Sequence, residues 1–266
     1  MTAVVEASSP IRHARFWAVT RAVAKRNLIS ILRTPSAFMP SLLFPFMFIV
    51  ALTGAYSGVA KAPGFPTEKL VTWILPFTVL QSSMIVGMTT GLGLIRDIET
   101  RFYDRLLMAP INRAALIAGL YLAAMVRTLV PTTMVCVLGF AQGAALPGGV
   151  LGLVVLVISA EGACLAGAGW GIGMGLRLKS FKALPIMFMA VFLVTFMSSV
   201  QVPISFMEGW LKHVARWNPF TSLLNMARSG FLGDVTANAV MPGLIVAVAG
   251  ALVLGTFAVR GLRSFD

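Results

Sequence analysis

Charged residues are scarce in this sequence. Of its 266 residues, 11% are Asp, Glu, Lys or Arg and 58% are hydrophobic, whereas typical soluble domains are about 25% charged. The mean hydropathy is +0.89. This shortage leaves too little polar surface to coat a globule in water, which excludes an ordinary soluble domain. The sequence therefore predicts an all-α polytopic membrane protein.

Residues that bind metals are also few. The chain has two cysteines, Cys136 and Cys164, which lie in apolar runs, and two histidines, His13 and His213. Buried cysteines behave as small hydrophobes, so we expect no metal site. No Gly-x-x-x-x-Gly-Lys-[Ser/Thr] phosphate loop is present. We expect no cofactor on this chain, and any ATP and Mg would belong to a partner.

Long apolar runs are abundant. A spanning helix needs about 20 mostly apolar residues, and six stretches meet this requirement. They are residues 36–59, 70–95, 114–142, 150–176, 183–204 and 237–259. We predict a cytoplasmic tail and interfacial helix at 1–35, a six-helix transmembrane domain at 36–259 and a cytoplasmic tail at 260–266. No cleavable signal peptide is apparent before the first run.

The basic residues predict the orientation. The net charge is +12, and fifteen of the 21 Lys and Arg residues fall in segments that are cytoplasmic if both termini are inside. These residues form short clusters between apolar runs and not a basic face on a polar domain, so nucleic acid is not the expected partner. We predict a multi-pass protein of the bacterial plasma (inner) membrane with both termini cytoplasmic.

Two segments outside the predicted spans are amphipathic. Residues 14–33 repeat apolar side chains near helical spacing with basic residues between them, which predicts an interfacial helix among anionic membrane lipids. The alternative is a positive cluster that only sets topology. Residues 205–236 are interrupted by aromatic and apolar side chains, so we expect short helices that dip into the outer leaflet.

A charged segment joins the second and third predicted spans. Acids and bases alternate from Arg96 to Arg113, and Asp97 and Arg101 have the i,i+4 spacing of a helical ion pair. Pro110 should end a short helix near Met108. Such a helix suits docking into a protein groove, and the alternative is a solvated loop without a partner.

This segment resembles the signature of type-2 ABC permeases, particularly the daunorubicin-resistance type of drug and lipid exporters. Their pattern runs acid-x-Glu-x-Gly and then Leu-Leu-x-x-Pro-x-x-Arg. Arg101 stands where the family usually has glycine. The residues that fit are Asp97, Glu99, Leu106, Leu107, Pro110 and Arg113.

Two further stretches carry the resemblance. Residues 119–127 are similar to the family's Gly-Arg-x-x-Ala-Asp-x-x-Arg run, with Leu120 and Ala124 replacing the first arginine and the aspartate. The outer segment is similar to Val-Pro…Met-Pro-Gly-Trp-Leu…Asn-Pro…Arg, with Glu208 in place of a proline. Its matching residues include Pro203, Trp210, Asn218, Pro219 and Arg228.

The resemblance implies the permease subunit of an ATP-driven exporter for a hydrophobic or amphipathic drug or lipid. Such a permease pairs with a second copy or a paralogue, and each rests on an ATP-binding subunit that holds ATP and Mg. The implied contacts to that subunit are Asp97, Glu99, Arg101, Asp104, Arg105, Leu106, Leu107, Pro110 and Arg113. The alternatives are an ion-coupled secondary transporter or channel and, less favoured, an intramembrane enzyme.

Two charges lie within predicted spans. Arg127 is in the third span and Glu161 in the fourth, where an arginine at the helix centre costs about 2.5–3.5 kcal/mol. Counting from the turn between them, their depths differ by roughly 12 Å or less. We hypothesise that they pair or that both face a polar route at a dimer interface. The alternative is that each snorkels or bonds backbone alone. Close helix packing is predicted for Gly167, Gly171 and Gly175.

Overall fold

The computed structural model describes residues 16–32, 35–108, 112–200 and 202–262, whose regular structure is entirely helical. This confirms the all-α class. The α-helices are α1 Phe16–Leu32, α2 Pro35–Tyr56, α3 Leu70–Glu99, α4 Phe102–Leu107, α5 Arg113–Ala141, α6 Gly149–Leu178, α7 Leu184–Phe196, α8 Gly209–Trp217, α9 Pro219–Leu232 and α10 Ala237–Gly261.

Four of these helices, α3, α5, α6 and α10, are long and apolar enough to cross a membrane. They coincide with the second, third, fourth and sixth predicted spans, with ends shifted by a few residues. The described apolar parts of the two remaining predicted spans are shorter, at Pro45–Tyr56 and Phe181–Phe196. The count of six spans is therefore not confirmed.

Helix α3 lies at the centre of the bundle. Nearly all of its apolar stretch is buried inside the protein, with α6 and α5 packed against it. Gly87 and Gly91 of α3 lie against Cys164 and Gly171 of α6, so the two helices run in the same direction. Helix α5 runs in the opposite direction, since its late residue Gly139 contacts α3 near the start of that helix.

The α3–α6 contact is made by backbone against backbone. A Cβ atom added to Gly167 or Gly171 would run into the carbonyl oxygen of Met84 or Met88, and one added to Gly175 would lie 3.0 Å from the Gly91 oxygen. Small residues at helical spacing allow this approach, which larger side chains prevent. The glycines singled out in the sequence are thus at the tightest helix–helix contact.

The two ends of the bundle carry different elements. At one end, an apolar cluster joins α1, α3, α4, α5, α6 and the end of α10. At the other end, the turn before α6 meets α9, where the amide of Gly148 donates to the carbonyl of Gly230 at 2.9 Å. The charged segment and the end of α10 therefore share one end, and α8 and α9 lie at the opposite end.

Replacing Gly171 with Ala should destabilise the protein by about 1–3 kcal/mol, because the added methyl group has no space between two backbones. Thermal unfolding in detergent measures this. Gly250→Ala in α10 is the matched control, because its Cβ would lie 3.8 Å from the nearest atom, the Cβ of Ala166. Equal unfolding temperatures for the Gly171 variant and the control would contradict this packing.

Candidate functional site

The charged segment begins where α3 ends. The backbone amide of Thr100 donates to the Arg96 carbonyl at 3.0 Å, and that of Arg101 donates to the Ile98 carbonyl at 2.9 Å. The chain then turns directly into α4. These bonds satisfy the last carbonyl groups of α3, and they place α4 across the end of the bundle.

Arg101 forms the turn in a left-handed conformation, with φ of 55°. An L-residue pays about 1–2 kcal/mol for this conformation, whereas glycine adopts it freely. The backbone geometry thus gives a physical reason for the glycine that the resembled pattern has at this position. The Arg101 side chain itself is exposed.

Helix α4 is anchored by apolar side chains on its underside. Tyr103 is buried and Leu106 half-buried in a cluster with Leu94, Leu116 and Leu176. Burial raises the pKa of Tyr103 to about 12, although the charge of Arg113 acts in the opposite direction. The phenol therefore remains neutral at physiological pH, and α4 is fixed to the ends of α3, α5 and α6.

The structure describes some of the remaining predicted contact residues and leaves others outside its described part. Glu99 is exposed at the end of α3. Arg113 begins α5 behind Asn112, whose Oδ1 accepts from the amide of Ala114 at 2.9 Å and caps the helix. Pro110 and the side chains of Asp104, Arg105 and Leu107 lie outside the described part of the structure.

Arg26 of α1 connects that helix to the charged segment. Its guanidinium donates to both carboxylate oxygens of Asp97, at 2.9 and 2.6 Å, and lies 3.9 Å from the centre of the Phe102 ring. Among the described residues, the ion pair of Asp97 is with Arg26 and not with Arg101. Arg101 lies beyond the helical part of the chain, in the left-handed turn, so the two side chains do not have helical spacing.

The other side of α1 packs on α5. Thr20 and Ala24 are buried, and a Cβ atom added to Gly119 of α5 would lie 2.7 Å from the Cβ of Val23. Trp17 remains exposed on the outward face. Helix α1 is thus packed on the protein at the same end as α4. Its placement in the membrane interface remains a prediction.

The two intramembrane charges do not pair in this structure. Arg127, 8% exposed, donates to the Thr90 hydroxyl and to the Val86 carbonyl of α3 at 3.4 Å. Among the described residues, no ion pair within 4 Å joins it to Glu161. The guanidinium is held by α3, whereas Glu161 belongs to α6 and its Oε2 has no hydrogen-bond partner there. That both charges face a polar route at a dimer interface remains a prediction.

At the opposite end, Arg228 is the largest fully buried side chain, 1% exposed. Its guanidinium donates to the carbonyl oxygens of Trp73, Ser199 and Val200 at 3.2, 2.6 and 2.8 Å, and it stacks 3.6 Å from the Trp73 ring centre. Carbonyl dipoles and the indole face balance its charge. Arg228 thereby joins α9, the start of α3 and the turn after α7.

The other outer residues of the resemblance shape this end. The Oδ1 atom of Asn218 accepts from the Phe220 amide at 2.9 Å, and its Nδ2 donates to the Val194 carbonyl at 2.7 Å. Pro219 occupies the first position of α9, where proline is favoured. Pro203 accepts from the Phe206 amide at 3.0 Å. Trp210 is largely exposed on α8.

Two residues that contact these sites could not be recognised from the sequence. Arg26 was one of several basic residues in α1, and its partner lies 71 residues away. Trp73 lay in an apolar run and had no feature that marked it as the partner of Arg228. Both contacts depend on the packing of distant helices.

Comparison with known proteins identifies the class. The family described as ABC-2 type transporter matches residues 18–232, so the chain belongs to that family and is a membrane transport subunit. The daunorubicin resistance ABC transporter permease protein DrrB1 of Streptomyces coeruleorubidus is 25% identical over 246 residues, which cover 91% of this chain and 85% of that protein. The resemblance to type-2 ABC permeases is confirmed.

Replacing Arg101 with Gly should stabilise the isolated protein by about 1 kcal/mol, because glycine does not pay for the left-handed conformation. Thermal unfolding in detergent measures the gain. Arg101→Ala is the control, because it removes the same side chain but keeps a Cβ atom. An unfolding temperature for the Gly variant at or below that of the Ala variant would refute the turn geometry.

Replacing Arg228 with Lys should cost at least about 3 kcal/mol, since a compact ammonium cannot reach all three carbonyl groups that the planar guanidinium binds, nor stack on the Trp73 ring as the guanidinium does. The yield of monodisperse protein and its unfolding temperature report the loss. Arg216→Lys on the exposed side of α8 is the matched control. If both lysine variants behave alike, the role assigned to Arg228 is incorrect.

Proposed function

We propose that this chain is the membrane-spanning subunit of an ATP-driven exporter and that a separate ATP-binding subunit powers it. Family membership supports a transport subunit, and the sequence carries no phosphate loop of its own. The observation that carries the proposal is the helix pair α1–α4. It is fixed to the end of α3 by Arg26 and Asp97 and leaves Glu99 and Arg101 exposed for a partner.

Helix α3 connects that surface mechanically to the interior of the membrane. Its 30 residues give a length of about 45 Å, which exceeds the roughly 30 Å of a bilayer core. A displacement of α4 is transmitted to α3 through Tyr103 and through Arg26, which contacts Phe102 of α4 and Asp97 of α3. It passes from α3 to α6 through the glycine contacts. ATP binding by the partner subunit then favours one arrangement of the permease, because the partner makes different contacts with it in the two states of the transporter.

We infer a hydrophobic or amphipathic substrate, a drug or a lipid, that is moved outward. The relative's name refers to daunorubicin resistance. The predicted spans contain two charged residues, Arg127 and Glu161, and are otherwise uncharged, which suits an apolar substrate. The transporter would contain two permease chains, two copies or a paralogous pair, each with an ATP-binding subunit that holds ATP and Mg. The basic clusters support both termini in the cytoplasm of a bacterial inner membrane.

An ion-coupled secondary transporter or channel is the competing function. Such proteins place acidic or histidine residues at the membrane midplane, and Glu161 is the one acid in the predicted spans. This alternative requires transport by the chain alone in an ion gradient. ATP-driven export requires the ATP-binding subunit.

Charge reversal at the Arg26–Asp97 pair tests the proposed coupling. In vesicles containing the permease and its co-purified ATP-binding subunit, Arg26→Asp or Asp97→Arg should lower ATP-driven export at least tenfold, because like charges then separate α1 from α3. The double exchange should restore part of the export. Lys25→Asp, an exposed neighbour on α1, is the control and should have little effect.

Two results would contradict the proposal. One is full export by both single variants. The other is transport by the purified chain in an ion gradient, at the same rate with and without an ATP-binding subunit.

A further inference from the structure

An apolar groove lies between α7 and α8. Its volume is about 360 Å³, and it is lined by Leu193, Val194 and Met197 of α7, Val214 and Trp217 of α8, and the Asn218–Pro219 junction. This volume falls within the range of small-molecule sites, about 300–1,000 Å³. The groove lies at the end of the bundle opposite α4.

The groove is almost entirely apolar. Asn218 is its polar side chain, and both ends of that amide are already used, one by the Phe220 amide and the other by the Val194 carbonyl. A polar group that entered would lose its bonds to water without replacing them. The lining therefore selects hydrocarbon.

Helix α8 presents an apolar stripe beside the groove. Trp210, Val214 and Trp217 follow i, i+4, i+7 spacing and are 67%, 37% and 86% exposed. Tryptophan favours the interface between membrane and water. The stripe therefore places α8 in the plane of the interface, with the groove open toward the acyl chains of that leaflet.

The other side of α8 is cationic. Lys212, His213 and Arg216 are exposed, and Lys212 and Arg216 are four residues apart, so they project side by side. Helix α7 carries no charged residue, and the nearest acid in the sequence is Glu208, at the start of α8. Helix α8 thus has the groove on its apolar side and a pair of cations on the opposite side, where an interfacial helix meets the phosphate groups of the lipids.

We propose that the α7–α8 groove binds an acyl chain of an anionic phospholipid whose phosphate contacts Lys212 and Arg216. In the orientation of the proposed function, this lipid belongs to the outer leaflet. The bound chain packs on Val194 and Val214, and the headgroup holds the cationic side of α8. The lipid thereby stabilises the junction at Asn218, from which α9 and its buried Arg228 continue.

Tryptophan fluorescence tests the site on the purified permease alone, so the result does not depend on any ATP-binding subunit. Trp17, Trp170 and Trp210 are replaced with Phe, which leaves Trp217 as the exposed reporter and Trp73 buried beneath Arg228. Brominated phosphatidylglycerol should quench Trp217 at a mole fraction on the order of tenfold lower than brominated phosphatidylcholine, because two cations face the headgroup.

Matched variants separate the two parts of the site. Lys212→Gln with Arg216→Gln should remove the preference for phosphatidylglycerol while quenching persists. Val194→Phe should fill the groove and weaken quenching by both lipids. Lys182→Gln, an exposed cation in the connection between α6 and α7, should leave the preference unchanged.

Three outcomes would overturn the proposal. Equal quenching of Trp217 by the two lipids would exclude an anionic headgroup site. A preference that survives the double Gln variant would place the phosphate elsewhere. Quenching that is absent in the dimeric permease and present in the monomer would assign the groove to a second copy of the chain.

Discussion

The close contact between α3 and α6 is the constraint on which the rest of the structure depends. Gly87, Gly91, Gly167 and Gly171 bring the two backbones together without intervening side chains, so these helices cannot slide or separate without losing the contact. Packed interfaces of this kind move as rigid units or switch between discrete arrangements. Whatever moves the end of α3 therefore moves α6 with it.

Each end of this rigid pair is tied by an arginine, exposed at one end and buried at the other. At the α4 end, Arg26 joins α1 to Asp97 and to the Phe102 ring. At the α8 end, Arg228 joins α9 to Trp73 at the start of α3. Planar guanidinium groups suit both positions because they bind oxygen atoms in plane and stack on aromatic faces. One arginine organises the proposed coupling surface, and the other organises the outer helices.

Much of the helical architecture could be predicted from the sequence, because apolar length alone reveals a membrane-spanning helix. The described helices do not confirm the count of six spans. Helix α7 ends at Phe196, and the turn after it supplies the carbonyl groups of Ser199 and Val200 to Arg228, a tertiary contact that hydropathy does not encode. Arg101 was visible in the sequence as a departure from glycine, but the reason for glycine at this position became clear only from its left-handed φ of 55°.

The most direct test of a rigid α3–α6 pair is a distance measurement between two spin labels. The labels are attached at Arg96→Cys and Leu178→Cys, both exposed at the α4 end. The protein used for labelling lacks Cys136 and Cys164. For a rigid α3–α6 pair, this distance should stay within about 2 Å between the nucleotide-free and ATP-bound transporter. The distance between Arg96→Cys labels on the two permease chains should change by more. A larger change between α3 and α6, with an unchanged distance between the chains, would contradict a rigid pair.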